Sequence, residues 1–112
     1  MTYEYEDAQF NEMWLALADP TRRAVFQIVA GKKQNVQNIA DQLPVSRPAV
    51  SQHLKVLQAC DLLRVEKAGR LRLYHANRQQ LAILRSWLDL YWSEAMENFA
   101  VAADREEEKK ND

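Results

Sequence analysis

The stretch 36–57, VQNIADQLPVSRPAVSQHLKVL, leaves this chain few folds to choose from, because it holds two short helical patterns joined by a turn too tight for a linker. In its first half Val36, Ile39, Ala40 and Leu43 recur at i, i+3, i+4 and i+7, one apolar stripe on a helix of about two turns. Pro44 stops that helix. In the second half Ser46 is a good N-cap, Pro48 fits a first turn, and Val45 and Val50 fall at the N′ and N4 positions of a hydrophobic staple. The inner row is then Val50, Leu54 and Leu57, with Arg47, Ser51, Gln52, Lys55 and Gln58 toward the other side. The spacing predicts a helix-turn-helix whose second helix runs over 46–60.

None of the five residues on that outer side is acidic. The DNA major groove admits one α-helix and presents donors and acceptors that Gln, Arg, Lys and Ser can pair with, whereas a carboxylate would be repelled by phosphate. A polar face taken alone is more often an ordinary solvated surface; its place in a helix-turn-helix makes it a candidate for reading DNA. On this reading Gln52 and Arg47 are suited to bidentate contacts with base edges, with Ser51 beside them, while Lys55 suits phosphate.

A chain of 112 residues is expected to form one domain over 1–112, with a real core and little room for a second. No apolar run approaches the roughly 18 residues of a membrane span, and the N-terminus is acidic where a signal peptide is basic, so a cytoplasmic location is expected. The lone cysteine, Cys60, leaves no internal disulfide and no Cys pair for a metal.

The net charge of −1 conceals a sorting along the sequence. Residues 1–19 carry five acids and no Lys or Arg. Residues 20–85 carry twelve bases against three acids (Asp41, Asp61, Glu66), or +9, and residues 86–112 return to −5. A basic block between acidic ends fits a nucleic-acid-binding module with separate assembly helices.

Residues 1–6 are read as an N-terminal arm. Over 7–18, Phe10, Met13, Trp14, Leu17 and Ala18 repeat at helical spacing. Asp19 caps the next helix, Pro20 takes its N1 position, Val25, Ile28 and Val29 supply its stripe, and Gly31 is expected as its C′ residue. Arg22 and Arg23 stand in its first turn, against the helix dipole, which calls for acids or phosphates nearby; Asp19 and the acidic final helix are available. Beyond the helix-turn-helix, Leu63 and Val65, then Leu71 and Leu73, alternate with Arg64, Glu66, Arg70 and Arg72, a β-hairpin with Gly69 at its tip in positive φ. A lone hairpin is marginal in water, so it must lean on the helices, and its basic tip makes it a wing, with Arg70 and Arg72 set to meet phosphate or the minor groove. Asn77 and Gln80 form an N-cap and N3 pair for a last helix, about 78–103. That helix is apolar on two sides, more than a small core can bury. Its surplus Trp87, Tyr91, Trp92 and Phe99, with Phe10 and Trp14 of the first helix, form the candidate dimer interface. Residues 104–112, without an apolar side chain, read as a disordered acidic tail. The expected fold is mainly α, a winged helix-turn-helix in the order α-α-α-α-β-β-α.

Three segments, LADPTRRAVFQIV (17–29), VSRPAVSQHLKVLQACDLL (45–63) and AGRLRLYHAN (68–77), together resemble the ArsR family of bacterial winged-helix transcriptional repressors, in the right order over about 10–99. The resemblance implies a homodimer built on the first and last helices, a DNA-reading helix at 46–60, a near-palindromic double-stranded DNA site, and repression of a nearby operon. Two departures stand out. Metal-sensing members place Cys-rich or His and Asp sets on the helix before the turn, near the N-terminus or on the last helix, and here 36–43 has neither Cys nor His and the final helix has no His. A metal needs three or four converging ligands, so no metal and no cofactor is expected. The family also usually has glycine where Asp61 stands, so an ordinary cap with modest strain is expected there.

His53 falls on the inner edge of the reading helix, where packing is the expected role; His75 ends the second wing strand, and Cys60 reads as a small buried hydrophobe. No Gly-rich phosphate loop, nucleophile elbow, paired carboxylates or metal spacing points to an enzyme. The alternative class is a winged-helix protein-interaction module without specific DNA binding. An unknown small-molecule or protein effector stays open.

Overall fold

The computed structural model describes the backbone of Thr2–Lys110 and the side chains of residues 8–107. Its elements are α1 (Thr2–Ala18), α2 (Pro20–Gly31), α3 (Val36–Asp41), α4 (Arg47–Ala59), β1 (Leu63–Ala68), β2 (Leu71–Ala76) and α5 (Arg78–Lys110), the expected order of helices and strands. They divide into two compact units, Met1–Leu81 and Ala82–Asp112, so that only the first turn of α5 belongs to the first unit.

The core of the first unit is the apolar rows of four helices brought together. Met13 of α1, Val25 and Val29 of α2, Ile39 of α3, and Val50, Leu54 and Leu57 of α4 are all but dry. α2 packs on α1 and α4, and α3 on α4. Burying one such side chain contributes about 1.5–3 kcal/mol, which is what holds a six-residue helix such as α3 that could not stand alone.

Three of the starts are capped by side chains. Asp19 accepts the Arg22 N–H at 2.8 Å, Asn35 accepts that of Asn38 at 2.8 Å, and the Ser46 hydroxyl accepts that of Ala49 at 3.3 Å. The Arg22 N–H, with the Arg22 charge behind it, holds the Asp19 carboxyl below its ordinary range. Pro20 and Pro48 sit in first turns, where a missing N–H costs nothing.

The arginines of the α2 first turn make side-chain hydrogen bonds to main-chain carbonyls, and the Arg22 charge also acts on Asp19, one of the acids expected to offset it. Arg22 Nη1 donates to the Ala16 carbonyl at 3.3 Å and Arg23 Nη1 to the Leu17 carbonyl at 2.8 Å. These oxygens are orphans at the C-terminus of α1, where the dipole is negative, so both cations offset their place in α2 by closing the helix before it.

Four boundaries differ from expectation. α1 begins at Thr2, so residues 2–6 are helical where an arm was expected, and α5 runs on through Lys110 where a disordered tail was expected from 104. Arg, Glu and Lys are good helix formers and need no core to continue a helix already nucleated. Met1, Asn111 and Asp112 lie outside the described residues. α3 stops at Asp41, short of Leu43. Gly31 is the last residue of α2, not its C′ residue; extended Lys32 caps the helix, its N–H on the Ile28 carbonyl at 3.3 Å. The extended exit leads straight into a short bridge in which Gln34 and Tyr74 exchange main-chain hydrogen bonds at 3.1 and 2.8 Å, laying the α2–α3 link along the wing.

The end of α4 is a left-handed cap and not the ordinary one expected. Asp61 has φ +63°, its N–H reaches the Gln58 carbonyl at 2.9 Å, and the Leu62 N–H reaches that of Leu57 at 3.0 Å, the paired bonds of a Schellman motif. Asn77 and Gln80, expected to cap α5, serve this turn instead. Both are buried; Asn77 Nδ2 donates to the Asp61 carbonyl at 2.9 Å and Gln80 Nε2 to the Cys60 carbonyl at 3.3 Å. No helix among the described residues is long and apolar enough to cross a membrane.

Candidate DNA-binding surface

α3, a tight turn and α4 stand as the sequence predicts, with Ser46 as N-cap of the second helix. Burial of Val50, Leu54 and Leu57 against the rest of the unit turns the opposite side of α4 outward. Gln52 and Lys55 are exposed there, Ser51 and Gln58 are half-buried at its margin, and Arg47 is exposed at the start of the helix. His53, on the inner edge, is half-buried and close enough to Asp19 for its charge to help lower that carboxyl.

The wing is an antiparallel pair with Leu63 opposite Ala76, Val65 opposite Tyr74, Lys67 opposite Arg72 and Ala68 opposite Leu71. Gly69 and Arg70 form a two-residue loop; φ is +64° at Gly69 and not positive at Arg70, as a type II′ turn requires of its first central residue. This register decides which side chains share a face. A two-residue loop puts Leu71 and Leu73 across from Ala68 and Glu66, on the face away from Leu63 and Val65, and the buried partner of Leu63 on its own face is Tyr74. The hairpin is dry at its base and wet toward its tip, where Val65 and Leu71 are exposed. Lys33, at the exit of α2, pairs with Glu66 at 3.0 Å and draws the Glu66 carboxyl below its ordinary range.

Arg47 at the start of α4 and Arg70 and Arg72 of the wing share one cleft of about 250 Å³, with Asn35, Gln37 and Leu71 as further walls. Ser51, Gln52 and Lys55 are not among its lining residues. Arg47 therefore shares this cleft with the two wing arginines, while the other predicted DNA-contacting residues of α4 lie outside it. Asn35 and Gln37, which line the same cleft, were not singled out in the sequence; the sign available there was an N-cap residue two positions after the Lys32–Lys33 pair.

Of the six residues expected at a dimer interface, Phe10 and Trp14 lie in α1, half-buried and edge-to-face at 5.9 Å. Trp87 and Tyr91 of α5 stack with centroids 5.8 Å apart. Trp92 and Phe99 expose 64% and 69% of their surface, and Ile83, Leu90 and Met96 are exposed as well.

Cys60 is buried at the C-terminal cap of α4, its thiol on the Leu57 carbonyl at 3.4 Å, and burial pushes that thiol above its ordinary pKa. It borders a second, largely apolar cavity of about 280 Å³ shared with Leu15, Ala16, Arg22 and Val56. Among the described residues no three of His, Cys, Asp and Glu converge as metal ligands.

Comparison with known proteins agrees with this geometry. Residues 17–66 match a helix-turn-helix domain family. The chain is 46% identical over 96 residues to the HTH-type transcriptional regulator Rv2034 of Mycobacterium tuberculosis, covering 86% of this chain and 90% of that one. It is 27% identical over 78 residues to the transcriptional repressor SdpR of Bacillus subtilis, covering 70% and 87%. Among solved structures, an ArsR-like transcriptional regulator from Rhodococcus sp. RHA1 superposes with a TM-score of 0.72 at 31% identity, over 86% of this chain and 91% of that one. With the helix-turn-helix, the wing and these relatives in agreement, the chain belongs to the ArsR family of winged helix-turn-helix proteins and is a DNA-binding transcriptional regulator.

Proposed function

We propose that the protein is a homodimeric repressor acting in the cytoplasm on a near-palindromic operator close to its own gene or operon, built as a dimer on α1 and α5. The observation that carries the reading is the acid-free outer face of α4 beside a basic wing, inside a +9 block whose own acids are engaged elsewhere. Each α4 enters a major groove, with Gln52 and Ser51 at base edges and Lys55 toward phosphate. Two such helices related by a two-fold axis fit half-sites about one helical turn, or a multiple of it, apart. The apolar surplus of α5 supports the dimer, because a monomer would leave Trp92 and Phe99 in water. Selection of random duplexes with the purified protein tests the reading. Enrichment of an inverted repeat, bound with an affinity that falls steeply with salt, supports it; enrichment of no sequence would leave a winged helix without a specific site and reject it.

A further inference from the structure

We propose that the cleft between the start of α3, the start of α4 and the wing is a seat for one backbone phosphate of the bound duplex, walled by Arg47, Arg70 and Arg72, so that Arg47 positions DNA and does not read it. The proposal rests on the DNA-binding function stated above and assigns the roles within its surface.

Three guanidiniums line this cleft of about 250 Å³, and among the described residues none of them has a carboxylate within ion-pair distance. Two acids of the basic block face other cations, Glu66 at 3.0 Å from Lys33 and Asp61 at 3.9 Å from Arg64; the third, Asp41, accepts from the amide of Gln37, a wall of the cleft, at 2.8 Å and is within ion-pair distance of none of the three arginines. A fourth cation adds to the imbalance, since Lys67 stands directly across from Arg72 in the hairpin ladder, where like charges repel. Cations gathered without an anion of the protein's own are stabilised by an anion from outside. The chemistry of the walls specifies which one: guanidinium forks match two oxygens of a phosphate, and Asn35, whose side-chain oxygen caps α3, keeps its amide hydrogens for a further acceptor.

A base edge fits less well. Guanine offers a neutral pair of acceptors that one arginine satisfies, and it lies inside the groove where Gln52 is carried. Arg47 and Gln52 are five residues apart, about 140° around the helix, so the two side chains leave α4 in different directions. Held between helix and wing, one phosphate would fix the register of the reading helix along the duplex and the depth of the wing at once.

The test uses the intact protein and duplexes carrying a neutral methylphosphonate at one backbone position at a time. Arg47 is exposed, and thermal melting of Arg47→Ala checks that the fold is unaltered. Arg47→Ala is expected to weaken the selected duplex and a scrambled one by the same factor, about ten-fold, and to reduce the slope of log affinity against log salt by about one. One methylphosphonate position should weaken the wild type by a similar factor and add nothing to Arg47→Ala, while Arg47→Lys should recover the salt slope. Loss confined to the selected duplex, or losses that add at every methylphosphonate position, would overturn the seat and leave the regulator reading intact. If the wild type binds duplexes without enriching any sequence, the operator reading fails while the seat is still tested on the random duplex; binding to no duplex would reject both.

Discussion

The side-chain amide of Asn77 donates to the main-chain carbonyl of Asp61 at 2.9 Å, tying the residue before α5 to the turn that ends the reading helix. Asp61 holds a positive φ that glycine adopts without cost, and its ion pair with Arg64 is long and half-exposed. Asp61→Gly should therefore stabilise the fold by up to about 1 kcal/mol. Asn77→Ala should destabilise it by about 1–3 kcal/mol, because a part-buried carbonyl loses its donor. Urea unfolding measures both, and a neutral Asn77→Ala would show that the turn does not depend on this bond.

Asp19 sets a pH dependence. Its folded-state pKa lies below the ordinary aspartate value of 3.8, so its contribution is present above that value and is lost as pH falls through the lower, folded one. Asp19→Ala should lower the Tm at pH 7, and the gap from wild type should narrow below about pH 4, closing last at the most acid pH. Asp19→Asn, which keeps a capping oxygen, should lose less. A gap that is constant from pH 7 to pH 2.5 would mean that the carboxylate's charge plays no part.

Much of this was legible in the sequence because the signals were local. Ser46 and Pro48 fix the start of α4, Val50, Leu54 and Leu57 fix its inward side, and together they decide which residues face outward. What escaped depended on partners distant along the chain. Nothing local to Arg22 and Arg23 says that they close α1, and nothing near Asn77 says that its amide belongs to a turn sixteen positions earlier. The wing was found from alternation alone, but alternation does not fix register; one residue of loop length decides whether Leu71 and Leu73 share a face with Leu63. That Arg47 shares a cleft with Arg70 and Arg72 was hidden for the same reason, since those two come from another element.

Cys60 should be inert in the native state. Its thiol is buried and its pKa raised, so alkylation by iodoacetamide at pH 7.5 should be far slower than in the urea-unfolded chain, and DNA binding should survive mild peroxide. Rapid native labelling would indicate that the end of α4 opens.

The aromatic surface of α5 should hold two copies together. Sedimentation at micromolar concentration should give a dimer, and Trp92→Lys with Phe99→Lys should give a helical monomer with weakened operator binding, because both residues are exposed in the single chain and have no packing role there to lose. A wild type that sediments as a monomer would contradict the dimer and the inverted-repeat operator with it.

The most direct measurement is the affinity of Gln52→Ala for the selected duplex and for a scrambled duplex at several salt concentrations. Gln52 is exposed on the outer side of α4, outside the arginine-lined cleft. The variant should lose about 1–3 kcal/mol on the selected duplex and little on the scrambled one, with an unchanged salt slope. Equal weakening on both duplexes would contradict the assignment of base reading to this face of α4.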